Sequence, residues 1–481
     1  MHIIHITSEL APIAKVGGLG DVVYSLSKQL QRLGEKVEIL LPKYDCIDYS
    51  LLRNLKPIME DLWSYDGSSS YKNTIWTASI DDLNVVLVES HHPGGFFSRG
   101  KIYDCEDDID RFIYFSRTCM EYIYKSGKSP DIVHVHDWTT ALCPVLYKEM
   151  YISLGLRLKG IALTLHNLEY QGKCLPQNIT RSGLNGDALL TPNKMQDPQD
   201  PRLLNILKGG INYSDTIAVV SPTYKKEIET TEGAHGLSQV VMNNQQKIHG
   251  ILNGIDLDYW NPQTDPYLPH HYSQIDYQKG KALNKKALRK KLGLQESSAP
   301  LVCCISRLVP QKNPTLIKHS IEKTLEKGGQ FVLLGSSPIR EIQTLFLSLQ
   351  TQLAENKNVT IHLKYDEKLS HLVYAASDMI VIPSLFEPCG LTQLIGLRYG
   401  TIPIVHATGG LADTVFEGKN GFTFERSTKE DLDGALEKAF ACFTTTPNKW
   451  TLLILNGLET NHGWEKSAKE YIEIYSALNT I

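Results

Sequence analysis

The feature that most constrains this chain is a recurring unit: a short run that is apolar on nearly every residue, then turn residues, then a stretch with helical spacing. Such runs fall at residues 2–6, 131–136, 160–165 and 216–220, and again at 301–306, 331–335, 359–363, 379–383 and 402–406. A strand apolar on both faces must be covered on both faces, which is the situation of a parallel strand flanked by helices. The alternation therefore predicts βαβ units and parallel sheets, an α/β chain. Its 481 residues exceed one ordinary core and suit two such sheets. The strand clusters predict a first domain over 1–250 and a second over 251–455. The seam falls near 250–262, where Leu252-Asn253-Gly254-Ile255-Asp256 runs on to Trp260-Asn261-Pro262. Towards the end, Trp464, Ala468, Tyr471 and Tyr475 have the spacing of one packing face of a helix.

Charge narrows the ligand classes. The 49 basic and 53 acidic residues leave a net −4, which excludes the basic field of a dedicated nucleic-acid binder and offers nothing to an anionic membrane. An anionic ligand must then be held by a few placed Lys and Arg side chains. The Lys- and Arg-rich stretch 279–291 carries Leu283, Ala287, Leu288 and Leu292 at helical spacing, so it is expected to be an amphipathic helix with solvated charges. Nine scattered cysteines, without a CxxC pair and with Cys303 beside Cys304, form neither a disulfide framework nor a zinc pattern; reduced, mostly buried thiols are expected. The first residues read as a strand and not as a signal peptide, and no apolar run reaches membrane-spanning length, so a cytoplasmic protein is expected.

Open parallel sheets bind ligands beyond the carboxyl ends of their strands, and the unusual residues collect there. The first run is followed by Lys15-Val16-Gly17-Gly18-Leu19-Gly20-Asp21-Val22, a turn that permits close backbone approach, with a mobile cation and a helix start behind it. The glycine spacing matches neither the dinucleotide fingerprint nor a Walker loop, which makes a nicotinamide dehydrogenase a distant third reading. Beyond 301–306 stand Arg307 and Lys312, two cations able to converge on a diphosphate, one as a fork and one as a point charge. Beyond 379–383, Glu387-Pro388-Cys389-Gly390-Leu391-Thr392-Gln393 sets a carboxylate on a turn before a helix expected to start near Gly390. Thr408-Gly409-Gly410-Leu411-Ala412-Asp413 is a further glycine-rich strand end.

Taken in order and with their spacing, these segments resemble the starch and glycogen synthase family of glycosyltransferases. They do so together with His134-Val135-His136-Asp137-Trp138, Leu165-His166-Asn167-Leu168-Glu169-Tyr170-Gln171-Gly172, Val220-Ser221-Pro222-Thr223-Tyr224 and Leu252–Asp256, and the likeness covers almost the whole chain. The resemblance implies two Rossmann-like domains facing across a cleft, the GT-B architecture, with a last helical segment, 456–481, crossing back onto the first. It implies transfer of glucose from a sugar nucleotide, ADP-glucose, to the end of an α-1,4-glucan such as glycogen, with retention of configuration and no cofactor.

Carried over by position, Arg307, Lys312 and Lys15 would bind the donor diphosphate, with the Gly17 and Gly18 turn beside Lys15. The backbone at Cys389, Gly390, Leu391 and Thr392, with Gly410 nearby, would meet the distal phosphate. Tyr365 would stack on adenine, and His166, Asn253, Asp137 and Glu387 would surround the glucose. Lys15, Asp137, His166, Arg307, Lys312 and Glu387 form the expected catalytic set. Three cations at one diphosphate make a metal unnecessary, and no Asp-x-Asp pair is placed for one. A double displacement would need a nucleophile beside the anomeric carbon; none stands out, which favours front-face transfer. Three positions depart from the family pattern: Asn313 where glycine is common, His235 where an acidic residue is frequent, and Ile395 where many related transferases carry a second glutamate. Two alternatives are transfer to a lipid or small acceptor, and a catalytically silent glucan-binding protein.

Overall fold

The computed structural model describes residues 1–478; residues 479–481, the end of the predicted segment 456–481, lie outside the described residues. Ile3, Ile4 and Ile6 make β1 (His2–Ile6) apolar on both faces, and it takes the middle of a nine-stranded sheet. The other members are β2 (Lys36–Pro42), β3 (Arg53–Asp66), β4 (Ser69–Ile80), β5 (Leu83–Ser90), β6 (Ile132–His136), β7 (Gly160–Leu165), β10 (Thr216–Val219) and β11 (Ile248–Gly250). Between β7 and β10 in the chain, β8 (Lys173–Cys174) and β9 (Leu204–Asn205) form a small antiparallel pair. The order is β11-β10-β7-β6-β1-β2-β5-β4-β3, parallel except that β4 runs antiparallel to both its neighbours.

A second, six-stranded sheet is parallel throughout, in the order β14-β13-β12-β15-β16-β17. Its strands are β12 (Leu301–Ile305), β13 (Gln330–Leu334), β14 (Val359–His362), β15 (Met379–Ile382), β16 (Ile402–His406) and β17 (Phe422–Phe424). Each predicted run is a strand to within one residue at either end. In both sheets the winding direction reverses beside one strand, at β1 between β6 and β2 and at β12 between β13 and β15. Those reversals leave a crevice outside the carboxyl ends of the strands, where ligands bind in such sheets.

The chain divides into two compact units, one from Met1 to Asn253 joined by the chain from Trp464 onward, the other Gly254–Gly463. The returning helix is Glu465–Ser476, capped by Trp464. Residues 456–459 instead close the preceding helix, Pro447–Glu459, of the second unit, so the return begins at Trp464 and not at 456. Trp464, Ala468, Tyr471 and Tyr475 are all buried, and the Tyr475 hydroxyl meets His134 Nδ1 on β6 at 2.7 Å.

The helix expected over 279–291 spans Tyr277–Leu292, but its charges are not all solvated. Lys281 is buried and its ammonium donates to the carbonyls of Ala375 (3.1 Å) and Tyr399 (3.0 Å) and to Thr401 Oγ1 (3.0 Å). Buried Arg289 donates to Gln330 Oε1 at 2.8 Å. The cysteines are free thiols; Cys46 is exposed, Cys105 half-buried and the rest buried. Among the described residues no helix is long and apolar enough to cross a membrane.

Candidate active site

In the second unit the candidate side chains stand where β12, β15 and β16 end. The backbone leaves β12 through Arg307, whose side chain is exposed, and closes a single 3-10 turn at Lys312. Asn313 then sits at φ 55° and caps the helix Pro314–Glu326, its Oδ1 accepting from Leu316 N at 3.2 Å. That left-handed backbone is the reason glycine suits this position and asparagine tolerates it. The Lys312 ammonium reaches Glu387 Oε2 at 2.5 Å. Ser384 Oγ donates to the same oxygen at 2.9 Å, so buried Glu387 is held from two sides.

The Glu387 loop is fixed by backbone contact with the turn after β16. Gly410 N donates to Glu387 O at 3.0 Å. A Cβ on Gly409 would lie 2.0 Å from Glu387 O, and one on Gly410 2.1 Å from Cys389 O. The two glycines are therefore demanded by the loop they face. Gly390 takes φ 73°, and buried Gln393 donates to the carbonyls of Cys389 (3.1 Å) and Gly390 (2.9 Å). The helix beyond begins at Thr392, two residues later than expected, with Leu391 as its cap. Tyr365 lies in the loop after β14 and is 72% exposed. Its hydroxyl donates to Glu367 Oε2 (2.9 Å), whose other oxygen accepts from Tyr259 (2.8 Å).

In the first unit, the glycine turn is organised by a residue with no sequence signal, Glu9. It is buried, and its Oε2 accepts from Val16 N (2.7 Å) and Gly17 N (2.9 Å) while Oε1 accepts from Tyr103 (2.8 Å). Lys15 is half-buried with its ammonium 2.8 Å from Asp21 Oδ1 on the first turn of the helix Gly18–Arg32. Gly20 packs on the loop, where a Cβ would sit 3.1 Å from Ala11 N. Gly17 is different: its φ is −139°, and a Cβ there would meet nothing within 4 Å. Gly18 is exposed beside it.

Beyond β6 and β7, Asp137 and His166 come together. Asp137 is a left-handed non-glycine residue, φ 53°, a conformation that persists only where the surroundings impose it. Its Oδ1 accepts from His166 N at 2.7 Å. Burial pushes the Asp137 carboxyl up to about 7, against the pull of the His166 and Asn167 amides. Burial draws the His166 imidazole down to about 3, so it is neutral at physiological pH. Asn253 is buried with no partner for Oδ1 among the described residues. Of the Asp-x-Asp segments in the chain, Asp108-Ile109-Asp110 pairs with arginines, Asp108 with Arg111 (3.0 Å) and Asp110 with Arg181 (2.7 Å).

Glu9, Ser384 and Tyr103 stand outside the segments singled out in the sequence, and Gln393 stood in one without a role of its own. The same holds for His5 and His136, which form a hydrogen-bonded file behind His166. The signal for the last two was present, since a histidine inside an apolar parallel strand has to find a partner.

A family model described as starch synthase catalytic domain matches residues 2–243, and one for glycosyl transferases group 1 matches residues 284–450. A glycogen synthase of Protochlamydia amoebophila is 46% identical over all of this chain and 99% of its own length. A glycogen synthase of Methylococcus capsulatus is 41% identical over 98% of this chain and 99% of its own. Among solved structures, the catalytic domain of starch synthase IV from Arabidopsis thaliana, bound to ADP and acarbose, superposes with a TM-score of 0.95 at 47% identity, over 99% of this chain and 98% of that one. A sucrose-phosphate synthase from Thermosynechococcus elongatus matches at a TM-score of 0.62 and 17% identity over the same shares, a likeness of fold.

Proposed function

We propose that this chain, which belongs to the starch and glycogen synthase family of glycosyltransferases, is a cytoplasmic glycogen synthase that transfers glucose from ADP-glucose to the non-reducing end of an α-1,4-glucan with retention of configuration. The observation that carries the reading is the Lys312–Glu387 pair at the switch point of the second sheet, with the Glu387 loop locked by glycine contacts and Arg307 exposed in the same loop as Lys312. Arg307 and Lys312 are the cations assigned here to the leaving diphosphate, and cations already in place stabilise it most when its charge is developing, in the transition state. Lys15 is the third cation for that leaving group, and the amides of Gly390–Thr392 meet its distal phosphate. Tyr365, exposed and with its hydroxyl on Glu367, offers the face for adenine.

His166, Asn253, Asp137 and Glu387 surround the glucose in this reading. Front-face transfer is the mechanism of this reading, and a trapped covalent glucosyl-enzyme at Glu387 or Asp137 would overturn it. Glu387 Oε2 is held by Lys312 and Ser384, and Asp137 Oδ1 by the His166 amide, which fixes the orientation of both carboxyls. The diphosphate oxygen then takes the proton of the incoming 4-hydroxyl as the glycosidic bond to it breaks. The test is transfer of labelled glucose to glycogen from ADP-glucose and from UDP-glucose side by side, with a lipid acceptor as a third arm. Label in glycogen from ADP-glucose is expected. Label in lipid alone, or none anywhere, overturns the proposal.

A further inference from the structure

Behind His166 the first unit buries three more histidines on one face of its sheet. β1 and β6 pair His5 with His134, and His136 lies two residues further along β6. One nitrogen from each of these three rings lies within 4.8 Å of the others, a spacing that could hold a metal ion. Five of the six nitrogens already have partners, however. His5 Nδ1 meets His136 Nε2 at 3.0 Å, and His136 Nδ1 meets His166 Nε2 at 3.1 Å. His134 meets Tyr475 OH through Nδ1 and Thr164 Oγ1 through Nε2, each at 2.7 Å. Only His5 Nε2 is buried without a partner among the described residues. The arrangement is a hydrogen-bonded file, His5 to His136 to His166, and not a vacant ligand set.

A neutral imidazole carries one N–H and one bare nitrogen. Burial holds all three rings of the file neutral, His5 and His166 down to about 3 and His136 well below its ordinary value. The groups facing them are His134, Asp137, Thr164 and, from the C-terminal helix, Tyr471 and Tyr475. Every ring-to-ring link needs one N–H and one bare nitrogen, so the three rings must all point the same way. One direction leaves an N–H at His5 Nε2 with no acceptor; the other leaves a bare nitrogen there. Orphaned buried N–H groups are the rarer defect.

We propose that His5, His136 and His166 are all held as Nδ1–H tautomers, so that His166 presents Nδ1–H as a fixed hydrogen-bond donor to an oxygen of the donor sugar. His5 and His136 are positioning residues in this scheme, and His166 is a donor and not a general base. The role at the sugar rests on the reading of His166 proposed above; the tautomers do not.

The test uses the full chain labelled with 15N-histidine, its rings assigned through His5→Asn, His136→Asn and His166→Asn, in two-bond proton–nitrogen spectra between about pH 8 and pH 6. A protonated Nδ1 and a bare Nε2 on all three rings are expected throughout. Nε2–H on any of them, an imidazolium in that range, or ring signals moved by one equivalent of zinc overturns the proposal. In kinetics, His5→Asn keeps a donor near Nδ1 and is expected to hold kcat within about threefold. His5→Leu leaves His136 Nε2 unpaired and is expected to lower kcat about tenfold with little change in donor KM. Equal kcat in the two variants overturns the positioning role, and where His5→Leu fails to fold, the spectra carry the decision. A chain that shows these tautomers but transfers no glucose would sink the proposed function alone.

Discussion

Glycines that look alike in the sequence divide, in the structure, by what a methyl group would strike. Gly409 at φ 45°, with a Cβ position 2.0 Å from Glu387 O, has no room for one. Gly409→Ala is expected to lose roughly 1–3 kcal/mol or more in denaturant unfolding, and activity with it. Gly17→Ala meets open space at an ordinary φ, so its stability should stay within about 0.5 kcal/mol of the parent. If a phosphate approaches that turn, donor KM should nonetheless rise at least about tenfold; an unchanged KM would remove Gly17 from the donor site. Lys312→Ala takes a cation from the diphosphate and a partner from buried Glu387, and kcat is expected to fall about a hundredfold or more; near-parental turnover would end its assignment. The meeting of Lys312 with Glu387 was legible because charges just beyond apolar runs have few other uses. Glu9 was not, because its role exists only once the chain folds back and brings the Val16 and Gly17 amides to it.

At the scale of elements, strands covered on both faces announce themselves, whereas β3 and β4 do not. β3 is the sheet's edge and is exposed along most of its length, so no apolar run marks it. The helix Tyr277–Leu292 was placed by its apolar spacing, but composition could not reveal that one lysine of a basic run turns inward. Burial draws Lys281 down to about 7 from an ordinary value of 10.5. Between those values the unfolded chain holds a proton that the folded chain has released, so stability should rise with pH across that window, by at most about 1.4 kcal/mol per pH unit for one group. Lys281→Met should flatten this slope in urea titrations, and an unaltered slope would refute it. The buried histidines act at lower pH with the same sign. His5, His134, His136 and His166 stay neutral in the fold while the unfolded chain takes up protons below about 6.5, so stability falls on acidification. Asp137, raised to about 7, opposes this with a single proton, so the four imidazoles prevail. Denaturant midpoints at pH 8, 7, 6 and 5 check the direction, and His5→Leu should lessen the loss.

For the whole molecule, the decisive fact is that the second unit interrupts the first. The chain leaves the first unit after Asn253 and re-enters it at Trp464, where the C-terminal helix covers the histidine face of the nine-stranded sheet. Residues 254–463 carry a complete sheet and its own core, and expressed alone they should unfold cooperatively. Residues 1–253 alone lack the side chains of Ala468, Tyr471 and Tyr475 over that face. They should bind a hydrophobic dye, and lose that binding when a peptide spanning 464–478 is added. A stable, dye-silent 1–253 fragment would contradict this. On the ribosome the consequence is an inverted timetable: although domains generally fold in the order they emerge, residues 1–253 lack their covering helix until Glu465–Ser476 has left the exit tunnel. The middle of the chain matures before its beginning, which makes the nascent amino-terminal half the species most in need of a chaperone.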